Sequence, residues 1–155
     1  MSRQRVARYG MFWTARIVTT AGLAIDAYVH LHLAPIYAEG GGTINESVLF
    51  RAEAVAALLA AVAVIVTGRR VCYLGALGVA ASALAVMLVS RYIDLGPIGP
   101  FPDLYDPAWY PEKLLAAYAE GAAAAAALAG VIITRPAGKS PPRAALRRRL
   151  TGNRN

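Results

Sequence analysis

Ala24-Ile25-Asp26-Ala27-Tyr28-Val29-His30-Leu31-His32-Leu33-Ala34 lies in the first long apolar segment of the chain and carries an aspartate together with both histidines. Ionisable groups at membrane depth are costly and face a bundle interior or a wet cavity. The meaning of this stretch therefore depends on what surrounds it. Of the 155 residues, 57% are hydrophobic and 16% charged, too apolar and too weakly charged for an ordinary soluble domain. The aliphatic residues fall into four blocks, each about 20 residues long, the length that crosses roughly 30 Å of hydrocarbon. The expected fold is all-α: an integral membrane four-helix transmembrane bundle, built as a single domain.

Charge orients it. Arg3, Arg5, Arg8 and Arg16 precede or open the first block, Arg69 and Arg70 separate the second from the third, and Arg135, Lys139, Arg143, Arg147, Arg148, Arg149 and Arg154 follow the fourth. The other two connections hold Glu39 and Glu46, and Asp94, Asp103, Asp106 and Glu112. The positive-inside rule then places both termini in the cytoplasm of a multi-pass protein of the cell (plasma) membrane. The net charge of +7 is not read as nucleic-acid binding, because no fold motif or aromatic interleaving accompanies the basic residues. It is read as attraction of the basic C-terminal tail to anionic lipid headgroups. The single cysteine, Cys72, rules out an intrachain disulfide or a C-x-x-C redox pair.

The predicted order is a basic arm over residues 1–10, spans over about 11–37, 47–67, 71–92 and 111–134, and a basic tail over 135–155. A cleaved leader competes for the first block, but no clean A-x-A site follows it and the segment reads as a retained helix. Pro35 and Gly40-Gly41-Gly42 end that helix; Asn45 or Ser47 caps the second and Gly68 stops it. Along the third helix Gly75, Gly78, Ser82 and Ala85 share one side, and in the fourth Ala122–Ala127 is unbroken, both read as close-packing surface. The connection Leu95–Pro111 is rich in proline and aromatics, hence stiff and suited to the membrane–water interface. Asp106-Pro107 reads as a helix start. The loop is read as an interfacial cap, with a lid over a site beneath as the alternative.

Depth brings the polar groups together. At about 1.5 Å per residue, His30 and Glu53 lie at similar depth in the outer half, and Asp26 and Glu120 one turn deeper. Asp26 and His30 are four apart and share a face; His32 points about 160° away, beside Tyr28. The candidate polar cluster is therefore Asp26, His30, Glu53 and Glu120, with Arg51, Arg91 and Asp94 at the rim. Arg91 and Asp94 have the spacing of an ion pair.

Three readings stand. The cluster, together with Arg51 or Arg91, holds the helices together; it handles a small molecule, quinone or proton with His30 titrating beside Asp26; or Asp26, His30, Glu53 and Glu120 ligate a borderline divalent metal. A bis-histidine haem is disfavoured, since the two histidines leave one helix on nearly opposite sides. Phosphate loops, nucleophile elbows and dinucleotide fingerprints are absent from the sequence.

Ala15-Arg16-Ile17-Val18, Leu49-Phe50-Arg51-Ala52-Glu53-Ala54 and the carboxylate of Glu120 resemble the small four-span bacterial membrane proteins grouped as DoxX-like. Asp26–Leu33 and Tyr110–Glu120 further resemble a set of uncharacterised four-span proteins of high-GC Gram-positive bacteria. The resemblance spans about residues 11–134. It implies an accessory or interaction subunit of a quinone-linked redox or respiratory complex with a membrane-protein partner; four short spans without an inverted repeat leave a homo-oligomer open as well. The residues themselves also admit a small enzyme or binder for a lipid-soluble ligand, with Asp26 and His30 handling a proton.

Overall fold

The structure, a computed structural model, describes residues 3–38 and 44–135. It is all-helical, with α1 Arg3–Leu33, α2 Glu46–Thr67, α3 Arg70–Tyr92 and α4 Pro111–Ile133. Gly40-Gly41-Gly42 and the tail beyond Arg135, with its proposed lipid contacts, lie outside the described residues.

Local chemistry accounts for the helix ends. The Asn45 carboxamide accepts the Val48 N–H at 3.0 Å, and Gly68 closes α2 in the left-handed region at φ 59°, a conformation that disfavours a side chain. The tight Arg69-Arg70 turn makes α2 and α3 antiparallel neighbours. Both ends of α1 differ from expectation, and one helix-start signal is not used as such. α1 begins at Arg3 rather than Met11 and ends at Leu33 rather than Tyr37; its basic first turns continue the helix instead of forming a separate arm. Asp106-Pro107 starts no helix: α4 begins at Pro111, with Tyr110 as N-cap. The Asp106 side chain instead accepts the Ala108 N–H at 3.2 Å, forming a turn.

α2, α3 and α4 are long and apolar enough to cross a membrane. α1 is not of that class, since Arg16, Asp26, His30 and His32 interrupt its apolar run. Outward-facing Leu59, Val66, Val71 and Tyr118 are largely exposed, as helices in contact with lipid require.

Each helix packs on its two sequence neighbours around the bundle, α1 also on α4, with little contact across the α1–α3 diagonal. The core is made mostly of small residues at three- and four-residue spacing. Ala54, Ala57, Ala61 and Val64 come from α2, Tyr73, Ala76 and Ala80 from α3, and Ala123, Ala127 and Val131 from α4, closing on Leu23 and Ala27 of α1. Small side chains let backbones approach, which is the source of packing energy where lipid removes the hydrophobic drive. Tyr73 is fully buried in this layer and packs against Gly130, where even a methyl group would collide with its ring.

The expected small-residue side of α3 is not the packed one. A Cβ added at Gly75 or Gly78 meets nothing within 4 Å, and Ser82 and Ala85 are exposed. The alanine run of α4 divides as well: Ala123 and Ala127 enter the core while Ala122 and Ala125 face outward.

Arg16 ties the bundle at the Gly68 end. Its Nε donates to the Val64 carbonyl at 3.0 Å and its Nη2 to that of Ile65 at 2.5 Å, while the guanidinium lies over the Trp13 ring at 4.9 Å. A cation on the last carbonyls of a helix satisfies orphan acceptors and complements the helix dipole.

Candidate functional site

α1 and α4 run antiparallel and approach closely at Gly22. A Cβ there would lie 2.7 Å from the Ala119 carbonyl oxygen and 2.9 Å from the Ala123 Cβ. One turn further along α1 stands Asp26, and beside Ala119 on α4 stands Glu120; both are 0% exposed. His30 follows Asp26 by one more turn. A donor atom from each of Asp26, His30 and Glu120 lies within 4.8 Å of the others.

The hydrogen bonding of this cluster is incomplete. His30 Nδ1 is hydrogen-bonded to the Asp26 carbonyl oxygen at 3.0 Å and lies 2.9 Å from Asp26 Oδ1, while neither Asp26 carboxylate oxygen receives a hydrogen bond among the described residues. Among the described residues no donor reaches either oxygen of the Glu120 carboxyl. Two buried carboxyl groups this close need a counter-charge or a shared proton, since each anion is costly in low dielectric and repels the other. Among the described residues no arginine supplies that charge, and the nearest lysine along α4, Lys113, is paired with Asp106.

Glu53 stands apart from the three. It is half-buried on α2, with Oε1 buried and unpartnered, and it is not a member of the group within 4.8 Å. Of the four residues read from the sequence as candidate ligands, Asp26, His30 and Glu120 come within 4.8 Å of one another and Glu53 lies outside that group. His32 leaves the cluster, as helical spacing requires: it is exposed and stacks on Tyr28 with ring centroids 5.9 Å apart.

The rim differs from expectation too. Among the described residues the ion pairs are Asp26–His30 and Asp106–Lys113, and the Arg91–Asp94 pair does not form. α3 ends at Tyr92, so the helical i,i+3 geometry is lost. The Asp94 carboxylate instead accepts the Gly96 N–H at 3.1 Å, and Arg91 lies over the rings of Tyr92 and Trp109. Arg51 is exposed on α2. Neither arginine pairs with the buried acids.

His30, Glu53 and Glu120 share the wall of a half-open cavity of about 860 Å³, set among the halves of the four helices away from the Arg69-Arg70 turn. Much of the remaining wall is apolar or aromatic, with Phe50, Met87, Phe101, Tyr105 and Tyr110 contributing, and Glu46, Asp106 and Lys113 line its loop end. The His30 ring meets Phe50 edge-on at 5.3 Å, and Phe50 meets Tyr37 at 5.1 Å. The connection between α3 and α4 closes one side. Its Asp106 N–H donates to the Ser90 carbonyl at 3.0 Å, and the Ile44 N–H from the other loop donates to the Pro100 carbonyl at 3.1 Å. The loop is thus docked on α3 and contributes to the cavity wall.

Lys113 and the tyrosine pair carry no motif that singles them out. Lys113 is buried to 6% exposure and donates to the Asp106 carbonyl at 2.6 Å, with the Asp106 carboxylate at 3.1 Å. The available signal is a lysine in the first turn of α4, where the helix dipole disfavours a cation unless an acceptor is built for it. The hydroxyls of Tyr37 and Tyr110 lie 3.2 Å apart; burial first, then the Tyr37 hydroxyl, pushes the Tyr110 phenol well above its usual range. No protein-family model, curated protein or solved structure matches the chain.

Proposed function

We propose that the protein is a multi-pass membrane protein that binds a lipid-soluble molecule with a polar head in the cavity beside His30, Glu53 and Glu120. The observation that carries this is the cavity's composition. A volume of about 860 Å³ is in the range of small-molecule sites, which are mostly apolar with a few convergent polar groups. Here His30, Glu53 and Glu120 gather toward the bundle interior, while the loop end combines aromatic rings with Glu46 and the Asp106–Lys113 pair. That arrangement suits a head buried among acceptors and donors and a tail leading to lipid.

In this reading α1 crosses the membrane together with α2, α3 and α4, giving four spans in the plasma membrane with both termini cytoplasmic. The charge asymmetry of the connections supports the orientation. A quinone has the required chemistry, and the DoxX-like resemblance to redox accessory proteins favours that ligand class. A second reading, an accessory subunit or homo-oligomer without a ligand, is favoured by outward-facing Gly75 and Gly78, where another helix can approach closely.

The first reading is tested with the full-length protein in detergent, titrated with a short-tailed quinone by calorimetry. Ala56 lines the cavity, and Ala56→Phe fills it. Saturable binding that this substitution weakens about tenfold, roughly 1.4 kcal/mol, supports the proposal. Absent binding, or binding equal in the variant, sinks it.

A further inference from the structure

We propose that Asp26, His30 and Glu120 form a site for a divalent transition-metal ion where the cavity meets the small-residue core. The inference stands on the cluster and does not depend on what occupies the cavity.

The donor set is chemically suitable. Two carboxylates and one imidazole suit a borderline ion such as Zn²⁺, Mn²⁺, Fe²⁺ or Co²⁺. They come from two helices, and their donor atoms already lie within 4.8 Å of one another. Tetrahedral ligands about 2.1 Å from zinc stand about 3.4 Å apart, so rotation of the two acid side chains completes the contraction. Both Glu120 oxygens and both Asp26 carboxylate oxygens are buried and receive no hydrogen bond among the described residues. Fully buried polar atoms without partners call for an occupant.

Charge balance favours a dication. With neutral His30, a divalent ion and two carboxylates sum to zero, the state least penalised in an apolar interior. Three protein ligands leave a coordination position for water or for the head of a bound molecule, as in catalytic rather than closed structural sites. His30 and Glu120 reach the cavity wall, so that open position faces the cavity. Glu53, outside the ligand group but on the same wall, is placed to accept a hydrogen bond from a metal-bound water.

The test uses the tag-free full-length protein in detergent, stripped with chelator and titrated with Zn²⁺ and, as a spectroscopic probe, Co²⁺, without added lipid-soluble ligand. About one equivalent of Zn²⁺ is expected, with a rise in melting temperature because the ion joins α1 to α4. D26N and E120Q keep the side-chain volume and are expected to weaken binding at least about 100-fold, more than the loss of an outer-shell partner causes. E112Q, in the first turn of α4 and remote from the cluster, binds as the native protein does. Should E120Q fail to fold, H30Q removes a part-exposed ligand and carries the same test. Failure of the native protein to bind Zn²⁺ stoichiometrically, or undiminished binding in the folded variants, overturns the site and leaves a shared proton as the counter-charge. The quinone titration is unaffected by that outcome, so the two proposals fail separately.

Discussion

Replacing Gly22 by alanine tests the contact on which the cluster is built. The new Cβ would lie 2.7 Å from the Ala119 carbonyl oxygen, 2.9 Å from the Ala123 Cβ and 3.2 Å from the Ala123 nitrogen. Carbon atoms pack at about 3.5–4.0 Å, so α1 must withdraw from α4 by roughly 0.6–1 Å. The obstacles are backbone atoms and an alanine methyl, none of which can rotate away. Overpacking costs about 1–3 kcal/mol, and an unyielding wall puts this case near 2–3. Alanine's better helix propensity returns about 1 kcal/mol, leaving a net loss of about 1–2 kcal/mol. The same substitution at Gly75 or Gly78 meets nothing within 4 Å and shows only the propensity gain, up to about 1 kcal/mol. Denaturation of the three variants in mixed micelles measures the difference directly. Gly22→Ala should unfold at lower denaturant than the native protein, and Gly75→Ala at equal or higher. A Gly22→Ala protein as stable as Gly75→Ala would refute the close packing of α1 on α4, and with it the juxtaposition of Asp26 and Glu120.

Two further outcomes follow from contacts away from the cluster. Arg16→Ala removes two charge-assisted hydrogen bonds to the Val64 and Ile65 carbonyls and should lower stability by about 2 kcal/mol, with Arg16→Lys recovering part of it in a thermal melt. Tyr110 supplies a pH dependence. Its phenol is raised by burial and by Tyr37, so the unfolded chain ionises first; stability is complete below about pH 10, the unfolded value, and falls as pH rises above it. Tyr110→Phe should flatten that alkaline loss in melts run from pH 8 to 11, whereas an unchanged slope would assign it elsewhere.

Much of the helical architecture is legible in the sequence because it depends on local chemistry and composition. Apolar block length, Asn45 as a cap, Gly68 as a stop and Pro111 at the first helical position are each decided within a few residues, and the helices begin and end there or within a residue or two. The exceptions arise where a local signal has competing outcomes. Asp106-Pro107 has the chemistry of a cap, but its side chain closes a turn and its carboxylate pairs with Lys113 seven residues on. The basic residues before Met11 resemble an arm only if charge and helicity are alternatives, and an exposed helix carries both.

The site divides along the same line. That Asp26 and His30 share a face follows from 3.6 residues per turn and needs no partner. That Glu120 rather than Glu53 completes the group depends on how closely α1 and α4 approach, a distance set by Gly22 against Ala119 and Ala123. Gly75 and Gly78 have the spacing of close-packing glycines, yet both face outward, while Gly22 and Gly130 receive neighbours. Small residues announce that a close approach is allowed somewhere; only pairing of helices shows where it is used. Depth arithmetic likewise ranks groups along the bundle axis but not around it, so it admits Glu53 beside His30 and Glu120 beside Asp26 without showing which of them meets α1. Around the axis, Gly22 draws α4 in against α1, and the carboxylate carried on that close-packed face is the one that meets Asp26.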